Sequence, residues 1–465
     1  MSVAQTDSVA DVPAPGSDVQ DSPVVDTNVD TDVEANPAGE TPSDRPRLLM
    51  LTHRIPYPPD RGDRIRAFHM LKFLATRYDV SLVSTSEEPA WLQHHQLLAG
   101  IADEVLLWPI TKTGSRLRGV KALLAGRAVT PACFYRGGLA NSILQWHEKR
   151  PFDVVLTFCT GMIRYARLLT GMKYGPRVSV DMPRPKHILD LVDVDSVKWA
   201  SYAKASRSPK RLIYATEAKR LRRIEAGDRD DLDVVCVISE HEAKVYQEQV
   251  NPKIDPVVVG NGVDMAYFAA TPDADKKMLL FVGVLDYKPN VDGVIWFVKQ
   301  VFPKLRAKSP DVTFQIVGRN PTRRIEELAQ VDGVEVVGSV PDVRAYLYDA
   351  AVIVAPLRIA RGVQNKVLEA MACQRTVVAS PGAAEGIDAD AGVHLVVADE
   401  PEAWVDELHG LLNDRERRTA IGIAGRARIE ERYNWATQLK PLEAQIEALL
   451  ERKVAPASTP VTSQA

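Results

Sequence analysis

Short apolar runs alternate along this chain with longer stretches whose apolar residues recur every three or four positions. The first run, Arg47-Leu-Leu-Met-Leu-Thr52, has the pattern of a strand buried on both faces. From His53 to Gly62 three prolines and a glycine exclude regular structure. Ile65, Phe68, Leu71 and Leu74 then fall at helical spacing. Further strands are predicted at Asp79 to Ser84, Glu104 to Trp108, Asp153 to Thr157, Arg177 to Asp181 and Val234 to Ser239, the last followed by a helix over Glu240 to Gln249. Helical stretches separate most of these runs. Alternating strands and helices imply a parallel, doubly wound sheet.

A second series begins near Met278. Strands are predicted at Met278 to Gly283, Val312 to Gly318, Val334 to Gly338, Ala351 to Ala355, Thr376 to Ser380 and His394 to Val397, with one helix over Val291 to Leu305. The two series divide at Pro256 to Pro272, where Asn261-Gly262-Val263-Asp264 breaks the periodicity. The expected organisation is an acidic tail (1–45), a first α/β domain (46–258), a second (259–432), a final helix (433–452) and a second tail (453–465). Two tandem doubly wound domains place a ligand beyond the carboxyl ends of their strands.

Composition sharpens this picture in two ways. The formal net charge is −3, yet residues 1–44 hold ten acids and no Lys or Arg, which leaves +7 on the remainder. A positive body suits anionic substrates or an anionic membrane face, although scattered solvated cations give the same sum. Cys133, Cys159, Cys236 and Cys373 are far apart and form no C-x-x-C pair. That spacing points away from a zinc site or disulfide framework and towards a reducing cytoplasm. Neither a membrane span nor a secretory signal is expected from the apolar runs.

The richest chemistry lies in Arg361-Gly-Val-Gln-Asn-Lys-Val-Leu-Glu-Ala-Met-Ala372. It follows an apolar strand and opens an apolar helical pattern. Free N–H groups and the positive end of a helix dipole favour an anion there. Lys366 adds a cation, and Glu369 adds a carboxylate suited to gripping a diol. Phosphate plus ribose fits both. A surface glutamate and a lysine reaching into solvent are the plain alternatives. Gly62, Gly283, Gly318, Gly338, Gly362 and Gly386 lie at strand ends or beside helix starts, where each also serves simply as a turn residue.

From about Arg47 to Leu450 the chain resembles retaining glycosyltransferases of the GT-B fold, family 4. The residues that carry this are Phe281-Val-Gly283, Asn290-Val-Asp-Gly293, Val317-Gly318, Gly338, Gly362 through Ala372, Val377 to Ser380 and Asn261 to Asp264. More narrowly, His53 to Arg64 and Leu191 to Trp199 resemble sugar transferases of exosortase (PEP-CTERM) exopolysaccharide systems. The resemblance implies a nucleotide-diphosphate sugar on the second domain and a hydroxyl acceptor, a glycan or polyprenyl-linked group, on the first. It implies transfer with retention, no metal and no nucleic acid. Glu369 matches the second Glu of the family's Glu-x7-Glu signature and is expected to bind the ribose. Gly62, Gly283, Lys288, Arg319, Arg358, Gly362, Val363, Gln364, Asn365 and Lys366 are expected to line the donor. The noncatalytic alternative is a nucleotide-sugar-binding subunit, and the other enzyme of this fold is a nucleotide-sugar 2-epimerase.

Three departures stand out. Arg361 occupies the position of the signature's first Glu, reversing its charge at a catalytic position. It is expected to share diphosphate neutralisation with Lys366 and Arg358, or to face a carboxylated donor. Val284 replaces the Arg commonly found after the first glycine of the second domain. The acceptor-side histidine has no obvious counterpart: between Asp181 and Trp199 lie His187, Asp190, Asp193 and Asp195. Asp193, then Asp190, are the catalytic candidates, with capping and solvated carboxylates as the alternative. His53 is closer to the loop and is expected to cap or orient it. Finally, Lys112, Arg116, Arg118, Lys121 and Arg127 interleave with Ile110, Leu117, Val120, Leu123 and Leu124. This basic amphipathic stretch suits an anionic membrane surface on the inner face of the plasma membrane, or an ordinary surface helix.

Overall fold

In the computed structural model, residues 44–59, 62–87, 91–170, 182–227, 231–358 and 363–454 are described. The apolar runs form two parallel sheets. The first comprises β1 (Arg47–Thr52), β2 (Asp79–Ser86), β3 (Glu104–Pro109), β4 (Val154–Phe158), β5 (Lys186–Asp190), β6 (Val234–Val237) and β7 (Val257–Val258), in the order β3-β2-β1-β4-β5-β6-β7. The second comprises β8 (Met278–Val282), β9 (Thr313–Val317), β10 (Val334–Gly338), β11 (Val352–Ala355), β12 (Thr376–Ala379) and β13 (Val396–Val397), in the order β10-β9-β8-β11-β12-β13. In each, the strand order reverses beside the first strand, between β1 and β4 and between β8 and β11. Such reversals open crevices at the strands' carboxyl ends.

Helices cover both faces, so the central strands are buried throughout. All six residues of β1 and all eight of β2 are enclosed. The polar residues of β2 are satisfied internally; for example, Thr52 Oγ1 donates to Ser84 Oγ at 2.9 Å. The second domain packs Phe281, Phe297, Phe302, Phe314 and Trp404 into one core.

Four elements differ from the local pattern: β5, β7, the helical segment 288–308 and the start of the helix after β1. The predicted strand at Arg177 to Asp181 lies outside the described residues. The strand paired with β4 is β5, Lys-His-Ile-Leu-Asp, whose sequence looks too polar to be buried. Its polar groups find distant partners: Thr157 Oγ1 donates to His187 Nε2 at 2.8 Å, and His187 Nδ1 donates to Asp231 O at 2.7 Å. β7 is two residues long and left no periodic signal. The helix expected from Val291 to Leu305 is instead Lys288–Trp296, a π turn over Phe297–Val301, and Phe302–Lys308. Pro303 supplies no amide N–H, and the wide turn before it absorbs the break. The helix after β1 starts at Gly62 itself.

The final helix, Trp435–Val454, returns to the first domain. Trp435, Leu439, Leu442, Ile446 and Leu449 enter its core beside the helix Gly62–Ala75. Each side chain of this size contributes roughly 1.5–3 kcal/mol when fully buried, so the attachment is substantial. The segment joining the domains crosses the start of this helix. Val263 N donates to Tyr433 O at 2.7 Å. A Cβ on Gly262 would lie 2.6 Å from both N and Cα of Trp435, so no larger residue fits without moving the backbone. Gly262→Ala is therefore expected to destabilise the protein by about 1–3 kcal/mol, the usual cost of overpacking. A urea unfolding midpoint equal to that of the parent protein would refute this contact's importance.

Candidate active site

At the β8/β11 crossover the helix Asn365–Ala372 begins a few residues after β11. Val367, Leu368, Ala370, Met371 and Ala372 are buried, which leaves Lys366 and Glu369 on the opposite face, one turn apart. The carbonyl of Gln364 accepts from Val367 N at 2.9 Å and Leu368 N at 3.3 Å, closing the first turn. Lys366 Nζ donates to Asn290 Oδ1 at 2.6 Å and lies 4.7 Å from the Phe281 ring centroid. Asn290 Nδ2 donates in turn to Val284 O at 2.8 Å, so its amide is held from both ends. Gly283 makes room: a Cβ there would meet Lys366 Nζ at 3.0 Å and Asn290 Nδ2 at 2.9 Å. Gly283, Asn290, Lys366 and Glu369 thus gather at the carboxyl end of β8 from three elements.

Both charged groups are half-buried, and their titration reflects it. Burial pushes the Glu369 carboxyl up to about 7, with Lys366 opposing the rise. Burial also pulls the Lys366 ammonium down to about 8, with Glu369 opposing the fall. Each is held where its charged form is short of partners. A ligand offering hydroxyl donors to Glu369 and negative charge to Lys366 relieves both.

The remaining donor-side candidates stand apart from this group. Lys288 is exposed at the first position of the helix Lys288–Trp296, and Arg319 is exposed just past β9. Arg358 is exposed after β11, its guanidinium 5.9 Å from the Trp296 ring centroid. Val363 and Asn365 are exposed, and Gln364 precedes the helix as its cap. Arg361 and Gly362 lie outside the described residues, as do Asp60 and Arg61. Gly62 opens its helix with open space around a Cβ position.

On the first domain the structure separates the two aspartate candidates. Asp193 is exposed in the turn after β5. Asp190 is fully enclosed: Oδ2 accepts from Arg66 Nε at 3.0 Å and Oδ1 from Val192 N at 3.1 Å. Its placement as an acceptor-facing group is corrected on that ground, because no substrate reaches it. Arg66 Nη1 also donates to Gly260 O and Asn261 Oδ1, each at 3.1 Å. Asp190 and Arg66 therefore tie the end of β5 to the inter-domain segment. His187 is likewise buried, and burial pulls its imidazole down to about 4, against the carbonyl of Asp231.

His53 lies at the carboxyl end of β1. Its Nε2 is 3.7 Å from Asp63 Oδ2, which accepts from Arg54 Nη1 at 2.7 Å. Its ring stacks on Phe158 with centroids 6.2 Å apart and meets Phe134 edge-on at 5.5 Å. Asn290 and the His53–Asp63 pair are the functional candidates that sequence reasoning underweighted. Asn290 stood inside a recognised motif, whereas Asp63 carried no signal beyond its place in the loop. Among the described residues, no group of three His, Cys, Asp or Glu side chains is placed to hold a metal ion. No helix among them is long and apolar enough to cross a membrane.

Residues 276–414, which hold every second-domain candidate, match the family model described as glycosyl transferases group 1. Over 233 residues, 45% of this chain, the sequence is 29% identical to a GDP-mannose-dependent alpha-(1-6)-phosphatidylinositol monomannoside mannosyltransferase of Mycolicibacterium smegmatis. The match spans 60% of that relative's length. Among solved structures, a sucrose-phosphate synthase from Thermosynechococcus elongatus superposes with a TM-score of 0.56 at 18% identity, covering 87% of this chain and all of that one. The Anabaena protein Alr3699/HepE, solved in complex with UDP, gives 0.54 at 14% identity, covering 86% and 100%. The fold is α/β of the GT-B type, two Rossmann-like domains with a helix crossing back from the second to the first.

Proposed function

We propose that this chain is a glycosyltransferase that moves a sugar from a nucleoside diphosphate sugar to a hydroxyl acceptor, with retention at the anomeric carbon. The observation that carries this reading is the Lys366–Glu369 pair, strained by burial and standing beside Gly283 at the β8/β11 crossover. The ribose diol donates to Glu369, and the diphosphate lies against Lys366 and the free N–H groups of the helix start. The bond from the anomeric carbon to the diphosphate breaks, and the acceptor oxygen bonds to that carbon on the same face. The acceptor's proton passes to the departing diphosphate. Charge develops on the diphosphate, so a preplaced ammonium stabilises the transition state more than the ground state. The cations take the role a metal plays elsewhere, and transfer is expected to persist in chelator.

The acceptor belongs on the first domain, where His53, Asp63 and Asp193 lie at or just beyond strand ends. A glycan or polyprenyl-linked hydroxyl in exopolysaccharide or other surface-glycan synthesis fits the tracts His53 to Arg64 and Leu191 to Trp199. The helix Lys112–Leu124 supports docking on an anionic membrane face: Leu117, Val120 and Leu124 are exposed among Lys112, Arg116 and Lys121. Incubation with UDP-, GDP- and TDP-sugars tests the central reading. Nucleotide release that requires an acceptor supports transfer. An isomerised donor, or binding without turnover, refutes it.

The titration of the pair sets a pH window. Ribose needs the Glu369 carboxylate, so below about 7 binding must expel a proton and affinity falls as pH falls. Diphosphate needs the Lys366 ammonium, so above about 8 binding must take up a proton and affinity falls as pH rises. Nucleotide affinity is expected to peak between those values. Calorimetry in buffers of different ionisation enthalpy should find proton release near pH 6 and uptake near pH 9. Proton-neutral binding at both pH values would contradict this assignment.

A further inference from the structure

Away from the Lys366–Glu369 group, the first domain holds an open pocket of about 1190 Å³ between the helices Lys112–Leu124, Val129–Phe134, Ile163–Thr170 and Lys210–Glu225. Besides Arg167, six cationic side chains line it: Arg118, Lys121, Arg127, Arg164, Arg220 and Arg223. No Asp or Glu lines it among the described residues. The seventh cation, Arg167, is paired with buried Asp231. Glu217, one turn before Arg220, is buried with its two oxygens accepting from Val129 N at 2.7 Å and Thr130 N at 2.8 Å.

The arginines are positioned by neutral groups. Arg118 Nη2 donates to Cys133 O at 3.0 Å and Ser115 Oγ at 2.9 Å. Arg220 Nη1 donates to Arg127 O at 2.7 Å. Arg164 lies 3.8 Å over the Tyr135 ring. Carbonyls and a hydroxyl orient the Arg118 and Arg220 guanidinium groups without cancelling their charge. Like charges gathered around one space draw an anion into it. Guanidinium forks match phosphate oxygens in pairs.

We infer that this cavity binds a phosphate or diphosphate ester, at a site separate from the proposed donor site. Its volume exceeds a bare phosphate and admits the group that carries it. Exposed apolar side chains on the same helices point to what that group is. Leu117, Val120 and Leu124, exposed by 56%, 53% and 83%, share a helix with Arg118 and Lys121. Ile213 is exposed on the helix that carries Arg220 and Arg223. A phosphorylated amphiphile would seat its headgroup among the cations and its chain along these residues. The inference does not require the transferase reading.

The test uses full-length protein carrying Lys366→Ala, which removes the donor-side ammonium so that binding reports the cavity. Inorganic diphosphate is titrated by calorimetry at low salt. Lys121→Glu/Arg223→Glu, both at exposed positions, is expected to weaken diphosphate binding at least tenfold. Unchanged binding would overturn the site. In a second arm, flotation with phosphatidic acid in phosphatidylcholine vesicles is compared for Leu117→Ser/Leu124→Ser. Loss of flotation with diphosphate affinity retained assigns a lipid source. Flotation insensitive to the leucines, with diphosphate still bound, assigns a soluble phosphate ester to the same site.

Discussion

Glu369→Gln is expected to lower nucleotide affinity and kcat/KM by roughly 30- to 1000-fold, equivalent to about 2–4 kcal/mol, the range for truncating one partner of a buried, charge-assisted contact. Folding should not suffer. The carboxyl of Glu369 is lifted from 4.5 to about 7, so the folded state holds its proton more tightly than the unfolded chain. Its contribution to stability is therefore greatest below pH 4.5 and is lost as pH rises to about 7. Lys366 is lowered from 10.5 to about 8, so its contribution is present above 10.5 and is lost as pH falls to about 8. Between the two values both charges cost the empty protein stability, and a bound nucleotide offsets that cost. At pH 7.5 the Gln variant should melt no lower than the parent while failing to gain stability from UDP. A variant that melts lower and still binds UDP normally would make Glu369 a structural residue.

The second large effect concerns the clamp beneath the other domain. Arg66→Met leaves Asp190 buried without its cation and strips a donor from Gly260 O and Asn261 Oδ1. Breaking such a pair is expected to cost about 3–5 kcal/mol, because the remaining charge stays buried and unpaired. Asp190→Asn should cost a similar amount. The double variant Arg66→Met/Asp190→Leu removes both charges and is expected to recover most of the loss. Urea unfolding of the three proteins measures this, and a single variant within about 1 kcal/mol of the parent would exclude the clamp. UDP affinity should be little changed in the singles, since the pair lies in the domain that does not hold Lys366. That separates a clamp from a donor-binding role.

How far the site was legible depended on where each residue's partners lie. Lys366 and Glu369 announce themselves locally, since they are the polar positions of a short helix whose other face is apolar. Asn290 does not, because the lysine it holds is 76 residues away. Asp190 misled for the same reason: its place in the segment where the resembled family carries an acceptor-side histidine suggested a catalytic role, while its arginine lies 124 positions earlier. The basic stretch at 112–127 was visible as an amphipathic pattern. Its cavity was not, because Arg164, Arg220 and Arg223 join it only when their helices pack.

Sequence alone determined the two α/β series and most of their buried strands, because apolar runs and a period of 3.6 are properties of neighbouring residues. It also determined the chemistry of the helix 365–372 and the acidic excess of residues 1–44. Tertiary structure decided which polar groups are occupied and which are waiting. It enclosed Asp190 and His187, left Lys366 and Glu369 half-buried and poorly satisfied, and collected six cations around one space. The physical reason is that a charge's state depends on what lies within a few ångströms, and folding alone sets that distance.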